Sequence, residues 1–115
     1  MNSVEFSTEV CKILSKHKGE DIVKIDVREK SGICDFFVVA SGRSQTHTKT
    51  LIEHVDEEME KIGVSPLRAE GVRDGRWGVL DYGDVIVHVF NDETRLFYHL
   101  EKLWGDDKNV EKYDD

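Results

Sequence analysis

The residues best able to do chemistry lie close together in the segment WGVLDYGDVIVHVF, which spans 77–90. Asp81 and Asp84 flank Tyr82-Gly83, where two strand-like runs meet, and Trp77 lies close by. A carboxylate pair beside two large aromatic side chains is typical of a catalytic acid pair or of an acidic docking face for another protein. The rest of the chain must decide between these two alternatives.

A second candidate is the Ser41-Gly42-x-Ser44 loop, which follows a predicted strand and precedes a predicted helix. Free backbone N–H groups at a helix start can cradle a phosphate, and nucleotidyltransferases place a Gly-Ser pair in this setting. Their chemistry also needs two carboxylates, two positions apart on a following strand, to hold Mg²⁺. The next strand offers only Glu70, and the two aspartates of the later turn lie on opposite sides of it. We therefore favour a turn and a helix cap, and we keep a small nucleotidyltransferase-like enzyme as the alternative function.

The histidines do not show the spacing of a metal site. None forms an HExxH pattern, and His47 and His54 lie two turns apart on a predicted helix with no carboxylate placed to complete a site. His88, on an apolar strand, is predicted to be a core histidine with a hydrogen-bond partner. We therefore expect neither a metal nor a cofactor.

The two cysteines, Cys11 and Cys34, lie in different predicted segments. One disulfide between them is possible, but the pattern favours two buried, reduced thiols in a cytoplasmic protein. No apolar run approaches the ~18 residues of a membrane span, and the first residues lack the apolar core of a secretory signal. We therefore expect a cytoplasmic location.

Composition and charge favour a protein partner over nucleic acid. The 115 residues suffice for one compact domain, predicted over 1–104 and followed by an acidic tail at 105–115 that we expect to be mobile. The net charge of −8 argues against non-specific binding to phosphate backbones, and no aromatic-basic RNA-binding signature is present. A basic protein surface is the better electrostatic match.

The hydrophobic periodicity predicts the element order α-β-β-α-β-β-β-α. A first helix is predicted with Ser3 as its N-cap, a second with Ser44 as its cap, and a last one after Asn91. The continuous apolar run at 36–40 predicts a strand that is covered on both faces. The fold class is therefore α/β, with a single mixed β-sheet of about five strands flanked by helices.

Several motifs in the same order resemble the ribosomal silencing factor (Iojap) family. The similarity covers roughly residues 4–104, and it is carried by ICDFFVVASGRS at 33–44, Glu70-Gly71, Trp77, DYGDVIVH at 81–88 and LEKLW at 100–104.

The resemblance implies a nucleotidyltransferase-like fold with no known catalytic role. It also implies that the chain binds the large ribosomal subunit through its protein uL14, at the face where the small subunit docks. Bound there, such a factor sterically blocks subunit joining and represses translation when nutrients are limiting. The resemblance further implies that the free protein is a homodimer.

The docking face is predicted on the ribbon that carries Trp77, Leu80, Asp81, Tyr82 and Asp84. The aromatic side chains and Leu80 would supply the apolar contact, and the carboxylates would meet Lys or Arg on the basic ribosomal protein.

Two positions depart from the family pattern. Thr46 stands where many relatives carry a basic residue at a helix start, and Gly78 replaces a larger apolar residue after Trp77. Neither removes the Asp-Tyr-Gly-Asp turn, but the second bears on local packing and both could tune affinity.

Because paired strand carboxylates are missing, purified protein should neither bind Mg²⁺–nucleotide measurably nor turn it over. Equilibrium binding and turnover assays with ATP check this. Saturable binding in the micromolar range that is abolished by Ser44→Ala would restore the enzyme alternative.

Overall fold

Each described helix is followed along the chain by two or more strands. The computed structural model describes residues 1–30, 32–71, 75–91 and 109–113. The described helices are α1 (Ser3–Lys16) and α2 (Gln45–Lys61), and the strands are β1 (Glu20–Asp26), β2 (Phe36–Gly42), β3 (Arg68–Glu70), β4 (Trp77–Asp81), β5 (Val85–Asn91) and β6 (Val110–Lys112).

These strands form one sheet in the order β3-β4-β5-β2-β1-β6. Strand β2 runs parallel to β5, with Phe36 opposite Val85 and Gly42 opposite Asn91, and every other pairing is antiparallel. A parallel pair needs a crossover connection, which α2, β3 and β4 supply here. The predicted α/β class and single mixed sheet are therefore confirmed.

Within the described residues the sheet has six strands, where the sequence indicated about five. The additional strand, β6, pairs with β1 through Val110 opposite Ile25 and Lys112 opposite Val23. It lies in the segment that the sequence analysis assigned to the tail, because so few apolar residues occur there. The predicted number of strands is therefore slightly too low, and the nucleotidyltransferase-like part of the fold prediction is slightly inaccurate as well. The helix predicted after Asn91 lies outside the described residues.

Both described helices pack on the same face of the sheet. Their buried residues join one side of β2, β4 and β5 in a core that includes Leu14, Leu51 and Leu80. A second buried cluster, which includes Ile25, Phe37 and Phe90, lies on the opposite face. All seven residues of β2 are buried, as its continuous apolar run predicted. Among the described residues, no helix is long and apolar enough to cross a membrane.

The helix starts follow local capping chemistry. The N-cap of α1 is Asn2, whose Oδ1 accepts the Glu5 N–H at 2.8 Å, so the predicted Ser3 cap is shifted by one residue. Ser44 caps α2 as predicted, since its Oγ accepts the His47 N–H at 3.0 Å.

Both cysteines are free and buried, as predicted. Burial raises the pKa of the Cys11 thiol to about 12 and that of Cys34 to about 11.

Because the thiolate is the reactive form, native protein should react with a thiol reagent far more slowly than denatured protein. Stopped-flow titration in buffer and in guanidinium checks this, with two thiols expected per denatured chain. One thiol or none in fresh denatured protein would contradict the account.

Candidate functional site

Strand β4 divides the predicted docking residues between two faces, because side chains alternate along a strand. Trp77, Val79 and Asp81 lie half-buried on the face opposite the two described helices. Gly78 and Leu80 are buried on the helix-covered face. The face that β4 offers to a partner is therefore made by Trp77, Val79 and Asp81.

Leu80 does not extend an exposed apolar patch, which corrects the prediction made from sequence. Its exposed fraction is 0%, and it belongs to the core beneath α1 and α2. The prediction treated residues 80–84 as one surface, whereas the two-residue period of the strand places Leu80 and Asp81 on opposite faces.

The turn between β4 and β5 is held by the side chain of Asp81 and by backbone N–H groups at and just before the start of β2. Asp81 Oδ1 accepts the Gly83 N–H at 2.8 Å, and Gly83 has a φ of 90°, which glycine adopts without strain. The carbonyl oxygen of Asp84 accepts N–H groups from Asp35 at 2.8 Å and from Phe36 at 3.1 Å. These bonds fix the turn and leave the Asp84 side chain exposed.

Tyr82 lies on the helix side of this turn. Its ring packs against Phe6 of α1, with ring centroids 5.0 Å apart, and the residue borders the helix-covered core. Its hydroxyl is buried and has no hydrogen-bond partner among the described residues, and burial raises the pKa of this phenol. The structure thus gives Tyr82 a role in joining the turn to α1.

Trp77 is held by aromatic neighbours on β5. Its ring is parallel to that of Phe90, with centroids 5.6 Å apart, and its Nε1–H donates to His88 Nδ1 at 3.3 Å. Because Nδ1 accepts, a neutral His88 carries its proton on Nε2, which is buried and unpartnered among the described residues. The predicted hydrogen-bond partner of His88 is therefore Trp77, and the indole is fixed while remaining half-buried.

Apolar residues that the sequence analysis did not select complete this surface. Ile86 lies opposite Asp81 and is half-buried, as is Val79 opposite His88. The alternation of β4 could have identified Val79, but only the strand pairing shows which residues of β5 lie beside it.

The Ser41-Gly42-x-Ser44 loop is packed rather than open. A Cβ atom on Gly42 would lie 2.4 Å from Thr48 Oγ1 and 2.7 Å from Thr48 N, so the backbone there lies directly against α2. Ser41 is fully buried, and Ser44 is occupied in capping α2. The loop thus has the structural role of a turn and a cap, which the sequence analysis favoured.

The two departures from the family pattern have different environments. Gly78 is buried with its Cα against α2, since a Cβ there would lie 2.7 Å from Ile52 Cγ1. A larger residue at this position would require Ile52 or α2 to move. Thr46 is exposed in the first turn of α2, where it does not contribute to the core.

The chain is similar to known proteins over nearly its whole length. A family model described as "RsfS: Ribosomal silencing factor during starvation" matches residues 1–115. A "Ribosomal silencing factor RsfS" from Haemophilus influenzae is 38% identical over 105 residues, which cover 91% of this chain and 100% of that protein. A protein of the same name from Halalkalibacterium halodurans is 37% identical over 94 residues, 82% of this chain and 80% of that one. A crystal structure of a Chromobacterium violaceum protein has a TM-score of 0.89 at 32% identity, covering 95% of this chain and 92% of that chain.

The packing of Gly42 against Thr48 predicts the effect of adding one methyl group. Gly42→Ala should lower the free energy of unfolding by about 2 kcal/mol or more, because the new Cβ meets backbone atoms that cannot rotate away. Gly32→Ala is the matched control: nothing lies within 4 Å of its Cβ, so the change should stay within about 0.5 kcal/mol. Urea unfolding of both variants checks this, and equal stabilities would contradict the packing.

The burial of His88 predicts a pH-dependent stability. Burial lowers the pKa of His88 to about 4, and Asp81 offsets this only in part. Below pH ~6.5 the imidazole of His88 binds a proton in the unfolded chain but not in the native one, so stability falls as the pH drops from about 6.5 to 4. The loss attributable to this residue should approach about 3 kcal/mol.

Urea unfolding at pH 7.5 and pH 5 measures this effect, with His88→Gln as the control that does not titrate. Carboxyl groups whose pKa is lowered in the native protein also reduce stability in acid. The informative quantity is therefore the change in the free energy of unfolding between the two pH values, compared between wild type and variant. An identical pH dependence of the free energy of unfolding in both proteins would show that His88 does not titrate as its burial requires.

Proposed function

Since the chain belongs to the ribosomal silencing factor (Iojap) family, as its motifs suggested, we propose that it binds the large ribosomal subunit through the protein uL14. Bound there, it sterically prevents the small subunit from joining. Translation is thereby repressed when nutrients are limiting, and the chain itself performs no catalysis.

The observation that carries this proposal is a rigid acidic and apolar surface, which we call the β4 surface. It consists of Trp77, Val79, Asp81 and Ile86, which lie on the face of the sheet opposite α1 and α2, together with Asp84 at the adjoining turn. Asp84 lies at the edge of this surface, since it also lines a pocket with Phe6 and Tyr82 beside the start of α1. Trp77 and Asp81 are separated by four residues of extended strand, or roughly 13 Å. The β4 surface is thus long enough to contact several side chains of a partner.

The composition of the β4 surface suits a basic protein partner. Half-buried aromatic and aliphatic side chains supply contact area, and anchors of this kind dominate binding energy at protein interfaces. Asp81 and Asp84 add negative charge in a chain whose net charge is −8. Opposite charge on the partner would speed encounter and fix orientation.

The β4 surface is also held in place before binding. The ring of Trp77 is fixed by Phe90 and His88, and the turn is fixed by bonds to Gly83 and from β2. Side chains that are already ordered lose less entropy on association, so more of their contact energy appears as affinity. This order supports a docking role for residues that the sequence alone could also have assigned to catalysis.

The alternative enzymatic function has little support from the same structure. The Ser41-Gly42-x-Ser44 loop has no room beside Gly42, and Ser44 is occupied as a helix cap. Strand β3 provides only Glu70 as a carboxylate, where Mg²⁺-dependent nucleotidyl transfer needs a pair.

The homodimer implied by the resemblance and the cytoplasmic location expected from the sequence remain predictions. Sedimentation velocity of purified protein across a hundredfold concentration range measures the first. A single species with the mass of one 13.2 kDa chain throughout would exclude a stable dimer.

The docking proposal predicts a specific loss of ribosome binding on charge reversal at the turn. Asp84→Lys should weaken binding to purified large subunits at least tenfold, because it sets a positive charge against a basic partner. Glu53→Lys makes the same charge change at an exposed position of α2 and should bind like the wild type. Co-sedimentation with large subunits measures both, and melting temperatures confirm that both are folded.

Asp84 is the better test position because its side chain is exposed and only its backbone supports the turn. Asp81→Lys would also break the bond to Gly83, and Trp77→Ala would also remove aromatic packing. Wild-type binding by folded Asp84→Lys, or equal weakening by Glu53→Lys, would contradict the assignment of the β4 surface.

A further inference from the structure

A group of metal-ligating side chains lies between the two described helices, away from the β4 surface. His17, His54 and Glu58 each offer one ligand atom, and these atoms lie within 4.8 Å of one another. All three residues are half-buried, and no other group of this kind occurs among the described residues. No metal site was expected from the sequence, because His47 and His54 lie on one helix without a completing carboxylate and nothing local places His17 beside them.

The fold fixes all three ligands on two packed helices. His17 is the C-cap of α1, and His54 and Glu58 lie four residues apart on one face of α2. His17 Nε2 is 2.7 Å from Glu58 Oε2, and the carbonyl oxygen of His17 is 3.1 Å from His47 Nε2. The contact with His47 ties the backbone of one ligand to the helix that carries the other two.

The distances are those of a site that needs a small adjustment. In a tetrahedral Zn²⁺ site with ligand bonds near 2.1 Å, two ligand atoms are roughly 3.4 Å apart. The rings of His17 and His54 are parallel, with centroids 3.6 Å apart, whereas a bound ion lies in the plane of each imidazole. One ring must therefore tilt, and no described residue hydrogen-bonds to that of His54, so its rotation costs only a stacking contact.

The neighbouring Lys16 indicates that this position attracts a cation. Its Nζ lies 3.2 Å from Glu58 Oε1, on the carboxylate whose other oxygen contacts His17. The Lys16 side chain is 66% exposed, so it can move into solvent when another cation arrives. Two imidazoles and one carboxylate form a ligand set that suits Zn²⁺ and similar transition-metal ions better than Mg²⁺ or Ca²⁺.

We propose that His17, His54 and Glu58 form a binding site for one divalent transition-metal ion of the Zn²⁺ type, which links the end of α1 to the middle of α2. Three protein ligands leave at least one position for water. The site lies at the opposite end of α1 from Phe6 and Tyr82, roughly 16 Å along the helix axis. Metal binding would therefore stabilise the packing of the helices without occupying the β4 surface.

The test is titration of metal-free, full-length protein with Zn²⁺ by calorimetry, and with Co²⁺ by visible absorption, which reports coordination directly. We expect one ion per chain, with binding weakened at least tenfold in His54→Ala and Glu58→Gln. Glu57→Gln is the matched control, since it removes the same charge from the adjacent, exposed position. Circular dichroism of each variant confirms folding.

Lys16→Ala distinguishes metal binding by these residues from a merely structural role. If the ammonium group competes for Glu58, its removal should strengthen Zn²⁺ binding severalfold, although it also removes an ion pair. Failure of wild-type protein to bind Zn²⁺ at one equivalent, or wild-type affinity in either His54→Ala or Glu58→Gln, would overturn the proposal.

Discussion

The structure depends on the buried parallel pairing of β2 with β5. Every residue of β2 is buried, and the pairing runs without interruption from Phe36 opposite Val85 to Gly42 opposite Asn91. A parallel pair must be covered on both faces, so it requires a helical layer on one side and an apolar cluster on the other. The same pairing brings the start of β2 to the turn before β5, where two backbone N–H groups hold the carbonyl oxygen of Asp84.

Local patterns predicted the elements well because their causes are local. The apolar run of β2 and the cap at Ser44 depend on neighbouring residues, and both were placed correctly. Strand β6 was missed because its pairing with β1 comes from residues far away in the sequence, while its own segment has few apolar side chains.

The candidate site was predicted only in part, for a physical reason. The sequence located the turn and its carboxylates, but it did not separate the two faces of β4, so Leu80 was selected although it lies in the core. Ile86 reaches the same region through its pairing with β4, which no local pattern contains. The juxtaposition of His17 with His54 is likewise a product of helix packing, which brings α1 against α2.

The central claim is that the β4 surface, and not the helical layer, contacts the large ribosomal subunit. Carbodiimide labelling of exposed carboxylates, read by mass spectrometry on the free and the ribosome-bound protein, tests this without altering the chain. Asp84 should be labelled when the protein is free and protected when it is bound, while Glu53 and Glu57 on the exposed side of α2 should be labelled in both states. Protection of Glu53 and Glu57 with Asp84 still labelled would contradict the account.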